Sequence, residues 1–322
     1  MSLDIEKDMK KVINLAPGES TKFLFYTVYF CDLTKQETIP EWFNIETFVR
    51  NSYQICRSGG TTGGGLSTSY IKQALAVSRY LVIAADEENN IGAFVFGHID
   101  DIDPRGIYVE ASCNTVNATL EKKPKEYELK TAQFKEQVKV MSAEEIVDRL
   151  KTLGKEASVH QIKANPNIYR SVLAKRMLEN LNLKPIEEKL NVRTAQLLKI
   201  ALFKYANKIG IKHAYNSAAS VSVAQFHARN GMLLRSANCD EPDEVAEEFS
   251  RVPYEDKPKY IEDAVKSGKF KADKTGSYPM KLCKYNIDVL FTEVVHHTAT
   301  TVLRITSKGF TMEDINSINL SM

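Results

Sequence analysis

Gly59, Gly60, Gly63, Gly64 and Gly65 crowd the segment between Ser58 and Ser69, the densest candidate for chemistry in this sequence. Backbone N–H groups brought together by glycines can cradle a phosphate. A P-loop would continue into Lys and then Ser or Thr; no such pair follows, so the segment reads as a mobile surface loop. The cysteines Cys31, Cys56, Cys113, Cys239 and Cys283 are far apart and mostly flanked by apolar residues. No Cys-x-x-Cys pair or spaced Cys/His cluster suggests zinc, and buried reduced thiols are expected. His296 and His297 are adjacent; on a strand they would point to opposite faces and make a poor metal pair. Asp100, Asp101 and Asp103 share one turn, where Asp is favoured for turn chemistry alone.

These residues sit in a chain of 322 with 43% hydrophobic and 26% charged residues, which suits a globular protein rather than a disordered one. A net charge of +2 argues against a dedicated polyanion binder. No apolar run approaches the roughly 20 residues of a membrane-spanning helix, and Met1–Lys11 lacks the apolar stretch of a secretory signal. The expectation is an intracellular protein, cytoplasmic or packaged in a virion.

The elements that must position the candidates follow from periodicity. Lys22–Cys31 (KFLFYTVYFC) reads as one buried strand. EWFNIETFVRNSYQI after Pro40 is helical, with Trp42, Ile45, Phe48 and Val49 at helical spacing. Arg79–Ala85, Ile91–Ile99 and Ile107–Asn114 form an antiparallel meander joined by short polar links. Thr115–Glu188 is Lys/Glu-rich and helical, with a capping box at Ser142–Glu145 and a helix over Tyr169–Leu183; it looks like an insertion. A long apolar helix then runs from Thr194 to Gly210, followed by a strand at Ile211–Tyr215, a helix at Val221–Asn230 and a strand from Met232. An acidic helix is expected at Glu241–Phe249, and strands at Tyr278–Tyr285 and Val289–Thr306. The organisation is an N-terminal arm (1–21), a core in two halves (22–115 and 190–285), a helical insertion (116–189) and a C-terminal β extension (286–322).

This order, with Ala214–Met232 (AYNSAASVSVAQFHARNGM) and the late strand Tyr278-Pro279-Met280-Lys281, resembles the GNAT superfamily of N-acetyltransferases. The resemblance covers Lys22–Asn114 and Leu190–Tyr285 in outline. It implies an α+β fold with a mixed, mostly antiparallel sheet flanked by helices, and acetyl-CoA as cofactor. The family binds the pyrophosphate on backbone N–H groups of a Gln/Arg-x-x-Gly-x-Gly/Ala turn opening the long helix, where unpaired donors and the helix dipole meet an anion. Here the turn falls at Leu190–Ala195: Ala195 fits, Arg193 stands in place of the first glycine and Leu190 in place of Gln/Arg. The cofactor contacts implied are Arg193, Thr194, Ala195, Gln196 and Ser220. By the same resemblance Glu110, on a strand face with Tyr108 and Ser112, is the base that takes the ammonium proton. His227, four residues before Gly231, is the acid for the leaving thiolate. Each has a plainer reading, Glu110 as a solvated strand residue and His227 as a packed helix residue. His98 is a further cleft candidate, with a core histidine as its plainer reading.

Two functions compete. One is an N-acetyltransferase acting on an amine; the other is a catalytically inactive scaffold that binds a protein partner through the insertion or the C-terminal extension. The Lys/Asn/Ile-rich composition suits a large DNA virus as source. A nucleic-acid binder is disfavoured, because Glu121, Glu126, Glu128 and Glu136 are mixed among the lysines of Glu121–Lys139.

Overall fold

The computed structural model of the chain describes residues 5–58, 67–114, 118–234, 239, 244–253 and 255–318. The fold is mixed α and β and divides into two units, Met1–Ala118 with Leu190–Met322, and Thr119–Lys189. The glycine segment 59–66 and the start of the acidic stretch, 240–243, lie outside the described residues.

In chain order the strands are β1 (Ser20–Phe23), β2 (Tyr26–Asp32), β3 (Tyr80–Ala85), β4 (Ile91–Ile99), β5 (Gly106–Asn114), β6 (Ala118–Lys122), β7 (Ile186–Leu190), β8 (His213–Ala218), β9 (Leu233–Leu234) and β10 (Tyr278–Cys283). The helices are α1 (Ile5–Ile13), α2 (Ile45–Ser58), α3 (Thr68–Val77), α4 (Lys125–Lys139), α5 (Ala143–Thr152), α6 (Val159–Ala164), α7 (Pro166–Asn180), α8 (Thr194–Lys208), α9 (Val221–Arg229), α10 (Glu244–Arg251), α11 (Lys257–Lys266), α12 (Lys284–Ser307) and α13 (Met312–Asn316).

The main sheet has the order β1-β2-β3-β4-β5-β8-β10-β9, and β6 pairs with β7 separately. Every neighbouring pair in the main sheet is antiparallel except β5 and β8. The expected meander is β3-β4-β5. Alternation along these strands loads both faces. Leu81, Ile83, Phe94 and Phe96 pack with Phe48 and Ile55 of α2 and Ile71 and Leu75 of α3. On β2 and β3, Phe30 and Tyr80 instead meet Tyr205 of α8 edge to face. Leu197, Leu198, Ile200, Ala201, Leu202 and Phe203 are all buried, so α8 is apolar nearly all round, as a central helix must be.

Two expectations change. Lys22–Cys31 is not one strand but the hairpin β1–β2, turned at Leu24 in the left-handed region (φ 52°). An apolar run without Gly, Pro or Asn gave no turn signal. The C-terminal extension is not β: Val289–Thr306 lies within the 24-residue helix α12. Its β-branched residues favour a strand locally, yet Ile287, Leu290, Phe291, Val294, Thr298, Val302 and Ile305 are buried at helical spacing, and burial decided. Within the N-terminal arm, Ile5–Ile13 forms the amphipathic helix α1, with Ile5, Met9, Val12 and Ile13 buried.

The thiol expectation changes too. Cys56 is bonded to Cys113 and Cys239 to Cys283, leaving Cys31 as the buried free thiol among the described residues. In the unit Thr119–Lys189, the capping box at Ser142 and Glu145 opens α5, and α4–α7 pack around Val138, Ile146, Leu150, Ile162 and Leu173. Among the described residues no helix is long and apolar enough to cross a membrane.

Candidate active site

The parallel pair β5–β8 is short. Gly106, Ile107 and Tyr108 pair with His213, Ala214 and Tyr215, and there the ladder ends, although both strands continue. Beyond it the Asn216 side-chain amide donates to the Val109 carbonyl at 3.1 Å and carries the seam one step further. At the start of the seam Asp103 accepts from the Tyr215 hydroxyl (2.7 Å) and lies 2.9 Å from His213 Nε2. These bonds hold the Asp103 carboxyl well below the usual range, with Tyr215 the largest cause. Gly106 is required here, since a Cβ would run into the Tyr215 ring.

One step past the seam, β5 bulges. Val109 pairs with Gly97 and Ala111 with Phe96, so Glu110 is the extra residue with no partner in the ladder. Gly97 allows the close approach, because a Cβ there would collide with the Tyr108 carbonyl oxygen. Glu110 and Tyr108 stay on one face, since His98, whose ring lies 5.7 Å from that of Tyr108, is also the neighbour of the Glu110 carboxylate. The Glu110 carboxylate accepts a 3.0 Å hydrogen bond from the Tyr70 hydroxyl, and its other oxygen lies 3.5 Å from His98 Nδ1. Its side chain is 14% exposed. Burial, and next the negative charge of Glu110, push the Tyr70 phenol up, so Tyr70 remains a donor. Sequence reasoning found Glu110 and His98 and missed Tyr70. It stands on α3, and only the tertiary fold brings it to β5.

The turn before α8 keeps a special backbone without its glycine. Arg193 is left-handed (φ 48°, ψ 42°), a conformation that costs a non-glycine residue about 1 kcal/mol or more. Its N–H donates to the Asn191 side chain at 3.2 Å. Among the described residues no protein acceptor meets the N–H of Thr194 or Ala195, the first two positions of a 15-residue helix. Gln196 N–H donates to the Arg193 carbonyl at 3.1 Å. The Thr194 hydroxyl faces inward and donates to the Tyr26 hydroxyl at 2.9 Å, so its side chain is structural. From behind, α12 fastens the turn: the Thr298 hydroxyl donates to the Val192 carbonyl at 3.3 Å and His297 Nε2 lies 3.2 Å from the Asn191 carbonyl. Ser220 is the N-cap of α9, its hydroxyl accepting from Val223 N–H at 3.3 Å.

His227 is buried on α9, and its Nδ1 has no hydrogen-bond partner. Burial, and then the charge of Lys199, drive its pKa well below the ordinary imidazole value. A neutral His227 cannot store the proton expected of it. Lys199 on α8, 1% exposed and with Nζ unpartnered, can: burial pulls it down to about 8. That shift has a thermodynamic signature. Between about 8 and the ordinary 10.5 the unfolded chain binds more protons than the folded one, so stability from this group rises with pH across that window. Lys199→Met is expected to be more stable than wild type at pH 7 and to lack this rise. Urea titrations of both proteins from pH 7 to 10.5 check it, and parallel pH profiles would mean that the ammonium is satisfied.

Near Trp42, a hollow of about 200 Å³ is lined by Phe43, Asn51, Ile55 and Asn90, smaller than the roughly 300–1,000 Å³ of ligand clefts. No cluster of His, Cys, Asp or Glu among the described residues could hold a metal. The fold and this site define a mixed α/β protein with an acid/base constellation on a bulged strand. No protein-family model matches the chain, and no curated protein or solved structure does.

Proposed function

We propose that the chain is a GNAT-like N-acyltransferase that transfers an acyl group from acetyl-CoA to an amine. The observation that carries the reading is Glu110. It is a largely buried carboxylate on a strand bulge, two residues past the end of a short parallel seam, with Tyr70 donating to it and His98 beside it. The sheet order supports it as well, with one parallel pair, β5–β8, inside an otherwise antiparallel sheet and β10 lying between β8 and β9.

The fit to acetyl-CoA rests on the open N–H groups of Thr194 and Ala195 at the head of α8, behind the left-handed Arg193. These are the groups that would hold the pyrophosphate, with the Arg193 side chain as an added cation. The unpartnered polar atoms of Lys199 and His227 are consistent with a bound polar group between α8 and α9. When bound, acetyl-CoA supplies an activated thioester. Glu110 accepts the proton of the attacking ammonium, Tyr70 fixes the carboxylate's orientation, and Lys199 supplies the proton for the departing sulfur.

A second reading, the scaffold without catalysis, is favoured by one observation. The Asn216 amide occupies the Val109 carbonyl exactly where the strands part, and it closes the seam with the chain's own side chain. Thermal unfolding with and without acetyl-CoA separates the two. At a hundredfold excess over Kd a ligand adds about 2.7 kcal/mol, a shift of several degrees. A shift with acetyl-CoA and CoA is the expected result; no shift with either transfers support to the scaffold. The two disulfides favour a non-reducing compartment over the cytoplasm that the sequence suggested.

A further inference from the structure

The helical insertion carries a groove that no part of the acyl-transfer reading uses. It lies between α4 and α7 and holds about 770 Å³, within the range of ligand-binding clefts. Its origin is visible in α4. Over 15 residues this helix buries only Val138, so most of its length is not packed into the core of its own unit. The floor is firm and apolar, because Val138 and Ala174 belong to that core and Leu178 is buried beside them.

The walls are cationic. Lys123, Lys135 and Lys139 come from the α4 side and Arg170 and Lys175 from α7, against two carboxylates, Glu128 and Glu136. Lys123 and Lys139 have acidic neighbours, Glu121 at 3.4 Å and Glu136 at 3.8 Å. Among the described residues Lys135 and Lys175 have no ion-pair partner. Arg170 reaches the Met141 carbonyl at 3.4 Å with one terminal nitrogen, while its Nε is buried with no acceptor. A buried guanidinium donor left unmatched is costly, and an incoming carboxylate would relieve it. A second hollow of about 420 Å³ shares Tyr127, Lys175 and Leu178, so the trough continues towards Pro185.

We propose that this trough is a docking site for an acidic, amphipathic peptide segment of a protein partner. Such a segment sets its apolar side chains on the Val138–Ala174–Leu178 floor and its carboxylates against Lys135, Lys175 and Arg170. A nucleic acid fits less well. Its phosphates recur along the whole backbone and would meet Glu128 and Glu136, and it has no apolar edge for the floor. The inference stands apart from the acyl-transfer reading and does not depend on acetyl-CoA binding.

The test uses the full chain and three fluorescein-labelled probes: a peptide of Glu and Leu at helical spacing, its Lys-for-Glu counterpart, and a single-stranded oligonucleotide. Fluorescence anisotropy is expected to show submillimolar binding of the Glu/Leu peptide alone. Lys135→Glu combined with Lys175→Glu should weaken it about tenfold, the size expected for two reversed surface charges. Both lysines are exposed, so an unchanged melting temperature verifies the fold of the variant. Failure of the Glu/Leu peptide to bind overturns the proposal. So does equal binding by the variant, and so does tighter binding of the oligonucleotide, which would make the trough a polyanion site.

Discussion

Glu110→Gln is expected to lower acetyl transfer to an amine acceptor by about 10²–10⁴-fold at neutral pH, the usual contribution of a positioned general base. Affinity for acetyl-CoA should change little, since the proposed pyrophosphate contacts lie at the head of α8 and Glu110 lies on β5. The amide keeps the shape of the carboxylate and can still accept from Tyr70, so lost activity cannot be blamed on a collapsed bulge. Tyr70→Phe serves as the companion variant. It removes the hydroxyl 3.0 Å from the carboxylate but leaves the base in place, so a smaller loss in kcat with a shifted pH profile is expected. Steady-state release of free thiol from acetyl-CoA, followed across pH, measures both. Wild-type activity in Glu110→Gln would take Glu110 out of the mechanism. Failure of the wild type to turn over, together with no thermal shift, would favour the scaffold.

Removing the bond between Cys56 and Cys113 is expected to cost about 4 kcal/mol, from the loop entropy restored to the unfolded chain by a separation of 57 residues. The bond ties the end of α2 to β5 only three residues beyond Glu110, on the stretch of β5 where pairing with β8 has already ended. Its loss should therefore loosen the bulge as well as the fold, and activity should fall in parallel. Cys56→Ser with Cys113→Ser, compared with wild type in urea with and without reductant, gives the answer. Reductant should destabilise the wild type more than the double variant. Thiol titration of the unfolded, unreduced wild type should find one free thiol, Cys31. Five free thiols, or a double variant as stable as wild type, would return these cysteines to the reduced state expected from composition.

Much of the fold was legible because local rules and tertiary demands agree there. β4 spans Ile91–Ile99 as read, and α8 ends before Gly210, which takes the left-handed conformation of a C-terminal cap (φ 94°). The capping box at Ser142 marks the start of α5 because it is a local bond pattern. Legibility failed where the two levels disagree. Leu24 turns a hairpin with no turn residue, and α12 is helical despite its valines and threonines. The candidate site was half legible: Glu110 and the turn at Arg193 could be found by order along the chain, whereas Tyr70 and Lys199 could not. Tyr70 follows the glycine segment without any pattern of its own, and Lys199 is one lysine inside an apolar helix.

The amino-acid sequence alone determined the class of the protein and the placement of most strands and helices. Hydrophobic period, caps and glycine stops act within a few residues and need no distant partner. Tertiary structure decided the environment of each candidate. It inserted Glu110 into a bulge under Tyr70, buried Lys199 and His227 without partners, and joined Cys56 to Cys113. It also laid α12 against the carbonyls of Asn191 and Val192. Those outcomes depend on desolvation and on contacts across as many as 106 positions of chain, and no local spacing encodes either.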